Sequence, residues 1–447
     1  MEKKILKFIK EKSLLPSGGG IVIGLSGGAD SCALLRVMLE LRGILGIHVF
    51  AAHINHNIRA EAANDEKFCV NLCRRFHVPL CVYSVDVKSV ASERKISEEE
   101  AGRLIRYQYF SEAAKFFCAE KIATAHNKND NAETVLMRII RGTGTAGLEG
   151  IKCSQANIIR PILNISRAEI EQYLKKLNQP FVTDSTNAEN IYSRNKIRNM
   201  LIPQIEKEFN PSVSDALCRL SATCAEENDF LNNQAEQAAK NAATENGFFC
   251  SEILNIHPAL AKRVVRLLLE KFIGTLKDIS EERTSAIITL AKSKTGGKIE
   301  LPGGFCAFSE YGRIVFTKNK QFEAFCIDIQ KDVSVRIGEF CVALSDKEIF
   351  GESIFSRKFS RDIMNGKLVL RTPKEGDSIL IGGVGKKSVA DYLSDKKFPV
   401  RERMFTPLLV YNGIVICIIT DDNRRIFADK RFLAQDGIKF SFFKTEE

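Results

Sequence analysis

Near the N-terminus, Ser26-Gly27-Gly28-Ala29-Asp30-Ser31 combines a flexible backbone with anion chemistry. Two adjacent glycines let a chain turn sharply and come close to a ligand. An apolar pattern at helical spacing begins directly afterwards. The intervening N–H groups therefore point outward at a helix N-terminus, where the dipole favours negative charge. Ser26 and Ser31 add hydroxyl donors, and the set reads as a phosphate cradle. It lacks the G-K-[ST] of a Walker loop. Asp30 is an odd neighbour for phosphates unless a divalent cation, Mg²⁺, bridges them. The plainer alternative is a glycine turn with Asp30 as helix cap.

Further along, Asp130 and Glu133 stand three apart where a helical pattern begins, so they share a face. His126 lies just ahead, at the end of an apolar run. Arg194 and Arg198 are four apart, and guanidinium forks suit a carboxylate or a phosphate. Each group has a plain reading when taken alone: helix-start polarity, a satisfied buried histidine, a solvated arginine face.

Elements must hold these groups together. Residues 21–25, 47–54, 80–87 and 121–125 are apolar runs that read as strands. Between them, 30–42, 65–76, 98–118 and 130–141 read as helices. Near-continuous apolar strands alternating with helices predict an α/β fold, a parallel doubly wound sheet covered on both faces. Ligands bind such sheets beyond the carboxyl ends of the strands. Residues 166–177, 212–245 and 258–295 read as helical, and short strand patterns follow 296. From 367 the texture is β-rich, with turns at Gly376, Gly382, Gly383, Gly385 and Gly413. These shifts predict a catalytic domain at 1–210, a helical then mixed middle domain at 211–360, and a small β-rich C-terminal domain at 361–447.

Over 447 residues the net charge is +10. It divides as +6 over 1–215, zero over 216–359 and +4 over 360–447. A polyanionic partner would favour the two ends. The thirteen cysteines include no C-x-x-C pair, so reduced, mostly buried thiols of a cytoplasmic protein are expected. Charges at Lys10, Glu11 and Lys12 interrupt any export signal. No apolar run approaches the roughly 18 residues of a membrane span.

With its strand–helix context, the Ser26–Ser31 hexapeptide resembles the SGGxDS loop of the PP-loop (N-type ATP pyrophosphatase) superfamily. Further motifs follow in order. They are His53-Ile-Asn-His56 with Arg59; Ala101, Arg103, Arg106 and Tyr107; Ala125-His126 with Asn129-Asp130 and Glu133-Thr134; and Arg141-Gly142-Thr143-Gly144. Arg160-Pro161, Ser166-Arg167, Asp184 to Asn187 and Arg194 to Arg198 complete the series. The series resembles the tRNA(Ile)-lysidine synthetase family, and segment 376–410 resembles the C-terminal tRNA-contacting domain of its longer members. The family often shows two adjacent acids where this chain has Asn129-Asp130, which makes Asp130 the working acid.

The resemblance implies ATP-dependent attachment of free L-lysine to C2 of the wobble cytidine of an isoleucine tRNA with a CAU anticodon. An adenylated cytidine would be the intermediate, and AMP and pyrophosphate the by-products. The product pairs with A instead of G and changes the tRNA's identity from methionine to isoleucine. Ser26, Gly27, Gly28, Ala29, Asp30 and Ser31 would hold ATP, and Asp30 would also hold Mg²⁺. Arg141, Gly142 and Thr143 resemble a second anion-binding turn. Asp30, His126, Asp130, Glu133, Arg194 and Arg198 would carry catalysis, one arginine meeting the lysine carboxylate or the adenylate. Lys386, Lys387, Lys396, Lys397, Arg401 and Arg403 would meet the tRNA backbone. A homodimer is compatible with this reading; a membrane is not part of it. The alternative, a PP-loop tRNA thiolase, is disfavoured by the missing C-x-x-C pairs. An ammonia-using PP-loop ligase leaves the basic C-terminal segment unexplained. A non-catalytic RNA-binding protein leaves the intact cradle unexplained.

Overall fold

The computed structural model describes residues 1–16, 18–55, 62–183, 193–276, 278–318, 324–337, 340–347, 353–382, 385–420 and 426–444. It divides into two compact units, Met1–Phe230 and Leu231–Glu447.

In the first unit the apolar runs become strands because both faces of the sheet are covered. The elements run α1 (Glu2–Glu11), β1 (Gly20–Gly24), α2 (Ala29–Leu45), β2 (His48–Asn55), α3 (Ala62–Phe76) and β3 (Leu80–Ser84). Then come α4 (Val87–Arg94), α5 (Glu98–Phe116), β4 (Lys121–Ala123), α6 (Lys128–Ile140) and α7 (Thr145–Leu148). β5 (Ser154–Gln155), β6 (Ile158–Ile159) and α8 (Arg167–Lys176) follow. The sheet order is β3-β2-β1-β4-β6-β5. All pairings are parallel except the β5–β6 hairpin at the edge.

β1 alternates as a strand with two buried faces must. Ile21 and Ile23 join the core formed with α1, α2, α3 and α8, while Val22 faces Phe110 and Ala113 of α5. Each such side chain contributes roughly 1.5–3 kcal/mol on burial. A Cβ on Gly24 would lie 2.4 Å from the Phe110 ring, so this glycine lets α5 pack against the end of β1. The doubly wound parallel sheet of the sequence reading is therefore present.

The expected strand over 80–87 stops at Ser84, because Asp86 caps α4, accepting from the N–H groups of Lys88 and Ser89. The β5–β6 hairpin escaped the sequence reading, since two-residue strands carry no periodicity.

Beyond 193 a short helix (Ser193–Lys196), a π turn (Ile197–Leu201) and a helix (Ile202–Glu208) precede the long helix Val213–Ala242. The π turn sits directly ahead of Pro203, which has no N–H to donate four residues back.

In the second unit, helices Pro258–Ile273 and Glu281–Lys292 pack with a five-stranded sheet around Val264, Leu269, Ile287 and Phe316. Gly274, at φ +85°, ends the first of these helices. The expected break near 360 does not coincide with a break in pairing. Cys326–Asp328 pairs with Leu368–Arg371, and Ser353–Phe359 pairs with Ile438–Lys444. The β-rich part thus begins near 326, ahead of the 361 read from composition, because short strands before 360 lack strong alternation. Gly383 lies outside the described residues. All thirteen cysteines are free thiols. Among the described residues, no helix is long and apolar enough to cross a membrane.

Asp377 of the Gly376-Asp377-Ser378-Ile379 segment is held within the fold. Arg371 grips it with both Nη groups, at 2.7 and 2.6 Å, and Lys374 donates its backbone N–H at 2.6 Å. Burial pushes the Asp377 carboxyl up, but these donors outweigh it and hold it below the ordinary carboxylate value. Its stabilisation is present above the unfolded carboxylate pKa and is lost as pH falls through the lower, folded one. Asp377→Ala is expected to destabilise the second unit by about 3 kcal/mol at pH 7. Urea unfolding at pH 7 and pH 3 checks this, with the difference shrinking at the acid end.

Candidate active site

Strand order reverses between β1 and β4, because the chain leaves β1 toward β2 and returns on the other side as β4. The crevice beyond their carboxyl ends is where such sheets bind ligands. Two loops frame it, Leu25–Gly28 after β1 and Thr124–Asn127 after β4.

The first loop is braced from below. Gly27 adopts φ +85°, and its carbonyl accepts from the Val182 N–H at 2.9 Å and the Cys32 thiol at 3.2 Å. A Cβ there would be strained and would press on Cys69 Sγ at 3.3 Å. The Ser26 and Ser31 hydroxyls meet at 3.2 Å, and Ser31 Oγ donates to the Gly28 carbonyl at 3.0 Å. The buried imidazole of His53 meets the Leu25 carbonyl through Nδ1 at 2.8 Å. Gly28 is the N-cap of the 17-residue α2, so the first N–H groups of that helix face the crevice without acceptors of its own. This cradle fits a polyphosphate. Asp30, one helical position on from Ala29, puts a carboxylate beside it that would hold a cation, with Asn127 on Oδ1 and Arg167 on Oδ2. One carboxylate suffices for Mg²⁺, which keeps waters and takes oxygens from phosphates.

The second loop starts α6 with a capping box. Asn127 Oδ1 accepts from the Asp130 N–H at 3.0 Å, and Asp130 Oδ2 accepts from the Asn127 N–H at 2.9 Å. Asn127 Nδ2 then reaches across to Asp30 Oδ1 at 3.1 Å. Arg167, at the start of α8, donates to Asp30 Oδ2 at 2.7 Å and to Glu171 at 2.7 Å. The cradle and the start of α6 are thereby joined through side chains.

Asp130 and Glu133 do share a face, and both arginines meet it. Arg194 donates to Asp130 Oδ1 and Glu133 Oε2, each at 2.9 Å. Arg198 donates to Asp130 Oδ1 at 2.9 Å, to Glu133 Oε2 at 2.9 Å and to Glu133 Oε1 at 2.5 Å. Glu133 is 2% exposed, so its charge depends on these partners. Burial pulls the Arg198 guanidinium down, but Glu133, Asp130 and Asp30 more than offset it and hold it above its ordinary value.

Burial also sets the other two titrating groups. It pushes the Asp30 carboxyl above its ordinary value, against the pull of Arg167 and with the help of Asp130. It lowers the His126 imidazole to about 4; Asp130 opposes this, while Arg160, Arg194 and Arg106 reinforce it. His126 is therefore neutral at pH 7, with Thr124 Oγ1 3.1 Å from its Nδ1. It is a neutral hydrogen-bonding group there.

Arg141, Gly142 and Thr143 do not join this set. They follow the far end of α6, about 20 Å of helical rise from Lys128, and are exposed. Any anion they hold is not the one in the cradle. His56, Arg59, Asp184 and Asn187 lie outside the described residues.

Four residues of the site carried no assigned role in the sequence reading: Asn127, Arg167, Arg160 and Arg106. Only Asn127 had a local signature, the N-x-x-D capping box. Asn129, standing where the family often has an acid, accepts from the Arg167 N–H at 3.0 Å. It thus steadies the residue that holds Asp30.

Residues 1–205 match the model of a PP-loop domain. The chain is 36% identical over 443 residues to a tRNA(Ile)-lysidine synthase from Clostridium perfringens, covering 94% of each chain. It is 34% identical to one from Caldanaerobacter subterraneus, covering 94% of this chain and 93% of the other. Against one from Thermotoga maritima it is 32% identical, covering 89% and 90%.

Two outcomes test the electrostatics. A raised Asp30 value means that the folded chain holds this proton more tightly than the unfolded chain. The associated stability is full at acid pH and is lost as pH rises through the folded value. Asp30→Asn, which cannot ionise, is expected to raise the urea midpoint of the first unit at pH 7. The gain should vanish below about pH 4, where the unfolded carboxyl is itself protonated. Separately, NMR titration of His126 is expected to find a neutral ring from pH 8 down to pH 5, with protonation only near the value of about 4 set by its burial.

Proposed function

The chain belongs to the tRNA(Ile)-lysidine synthase family, and we propose on that premise that it joins free L-lysine to C2 of the wobble cytidine in the CAU-anticodon isoleucine tRNA. ATP first adenylates the C2 oxygen with loss of pyrophosphate. The lysine ε-amine then attacks C2 and expels AMP. The observation that carries this reading is the side-chain bridge from the cradle to the start of α6, through Asp30, Asn127 and Asp130. The bridge supports a reading in which a phosphate-binding loop and an amine-binding acid share one crevice.

Each residue has a task in this reading. The N–H groups at the start of α2, with Ser26 and Ser31, hold the phosphates. Asp30 holds Mg²⁺, which when bound offsets charge on the transferring phosphorus. Asp130 holds the lysine ammonium and takes its proton. Its Oδ1 already serves two arginines, and among the described residues Oδ2 accepts a single backbone bond, leaving a lone pair for the amine. Glu133, Arg194 and Arg198 position Asp130. Neutral His126 offers a hydrogen bond without adding charge.

For tRNA binding the basic residues of 376–410 separate into two groups. Arg401 bonds Glu310, and Arg403 bonds the Tyr311 hydroxyl and the Phe398 carbonyl. Lys387 pairs with Asp395. Lys386, Lys396 and Lys397 are exposed and are the residues proposed to meet phosphates.

Incubation with ATP, lysine and the CAU tRNA should add the mass of one lysine less one water to the anticodon-loop fragment, read by mass spectrometry. Unmodified tRNA would refute the reading. Asp30→Asn is expected to lower tRNA-dependent AMP release at least a hundredfold. Replacing Lys386, Lys396 and Lys397 together by alanine should weaken tRNA binding and reduce its logarithmic salt slope by roughly 2–3. An unchanged slope counts against the assignment of those lysines.

A further inference from the structure

Among the described residues, Arg160 is a buried cation without a paired acid. It is 4% exposed. Its Nη1 donates to the Lys152 carbonyl at 2.6 Å, while its Nε–H is buried and has no acceptor. No carboxylate among the described residues forms an ion pair with it. A buried charge is normally retained only with a counter-charge, so this arrangement is incomplete.

Its place in the fold identifies what is missing. β6 pairs with β4 so that Ile159 lies opposite Ala123, which puts Arg160 beside Thr124 at the carboxyl end of the sheet. Thr124 holds His126, and the charge of Arg160 helps keep that imidazole neutral. Arg160 therefore lies at the crevice end of the sheet, two strands from β1 in the order β1-β4-β6. At 4.7–4.9 Å per strand it stands about 10 Å across the sheet from the cradle's strand. A single guanidinium edge at that offset suits a small oxyanion outside the cradle.

The reaction brings such a group. The lysine amine must reach the adenylated base beside the cradle, so its carboxylate points away. Arg194 and Arg198, the residues expected to meet it, are already engaged by Asp130 and Glu133. We propose that the Arg160 guanidinium binds the α-carboxylate of the lysine substrate. This rests on the lysidine-forming reading above. It makes Arg160 the residue that selects an amino acid over a plain amine.

The test compares lysine with 1,5-diaminopentane, which keeps the reacting amine and lacks the carboxylate. Full-length wild-type chain, ATP and CAU tRNA must first yield lysidine; absence of product there sinks the reading of the reaction, apart from Arg160. Arg160→Gln is then expected to raise the lysine KM at least tenfold while the ATP KM moves less than twofold. The kcat/KM preference for lysine over diaminopentane should collapse toward unity. Arg160→Lys, which keeps charge, should recover part of that preference and guards against a merely unstable glutamine variant. Equal losses for both amines would assign Arg160 a structural role and overturn the proposal. A raised ATP KM with the amine preference intact would assign it to a phosphate and overturn it too.

Discussion

The first turn of α6 is held by a four-charge knot on which the rest of the site depends. Glu133 is almost wholly buried, and an unpaired carboxylate there would be prohibitive. Arg194 and Arg198 supply the counter-charge, which ties the segment beyond 193 to the end of β4. With Asp130 fixed, the Asn127 cap is fixed, and with it the amide that steadies Asp30. A perturbation at one end of this chain is therefore felt at the cradle.

Burial moves two titrating groups of the crevice away from their ordinary ionisation. Burial drives Asp30 toward its protonated form and His126 toward its neutral one. Neither shift helps the ligand-free fold at neutral pH. Perturbed groups in a cleft are candidates for functional positions. A cationic ligand near Asp30 would reverse the first of these costs, and a carboxylate against Arg160 would complete the unpaired charge.

The second unit shows why a basic segment is not by itself a binding surface. Arg401 and Arg403 look like the lysines around them in sequence, yet they are engaged with Glu310, Tyr311 and Phe398. Asp377, within a segment that resembles a tRNA-contacting domain, is instead the anchor of Arg371. Long-range hydrogen bonding, invisible in a local window, separates the charges that hold the fold from those left exposed.

Much of the catalytic unit was legible in the chain alone, because the signals are local. The β1 run, the two glycines and the following helix sit within 25 residues, and backbone conformation follows from near neighbours. The same holds for Asp130 and Glu133, whose spacing puts them on one face, and for the Asn127 capping box. Three things required the tertiary structure. The four-residue spacing of Arg194 and Arg198 offers a fork for a carboxylate or a phosphate, but it does not show that acids 61 to 65 residues away engage them. Arg141, Gly142 and Thr143 look like a second anion turn, yet the length of α6 carries them away from the cradle. Arg160 gave no local sign of being a buried, unpaired cation, because burial is a property of the packed sheet. Sequence determined which chemistries were on hand; only packing decided which charges cancel one another and which remain for a substrate.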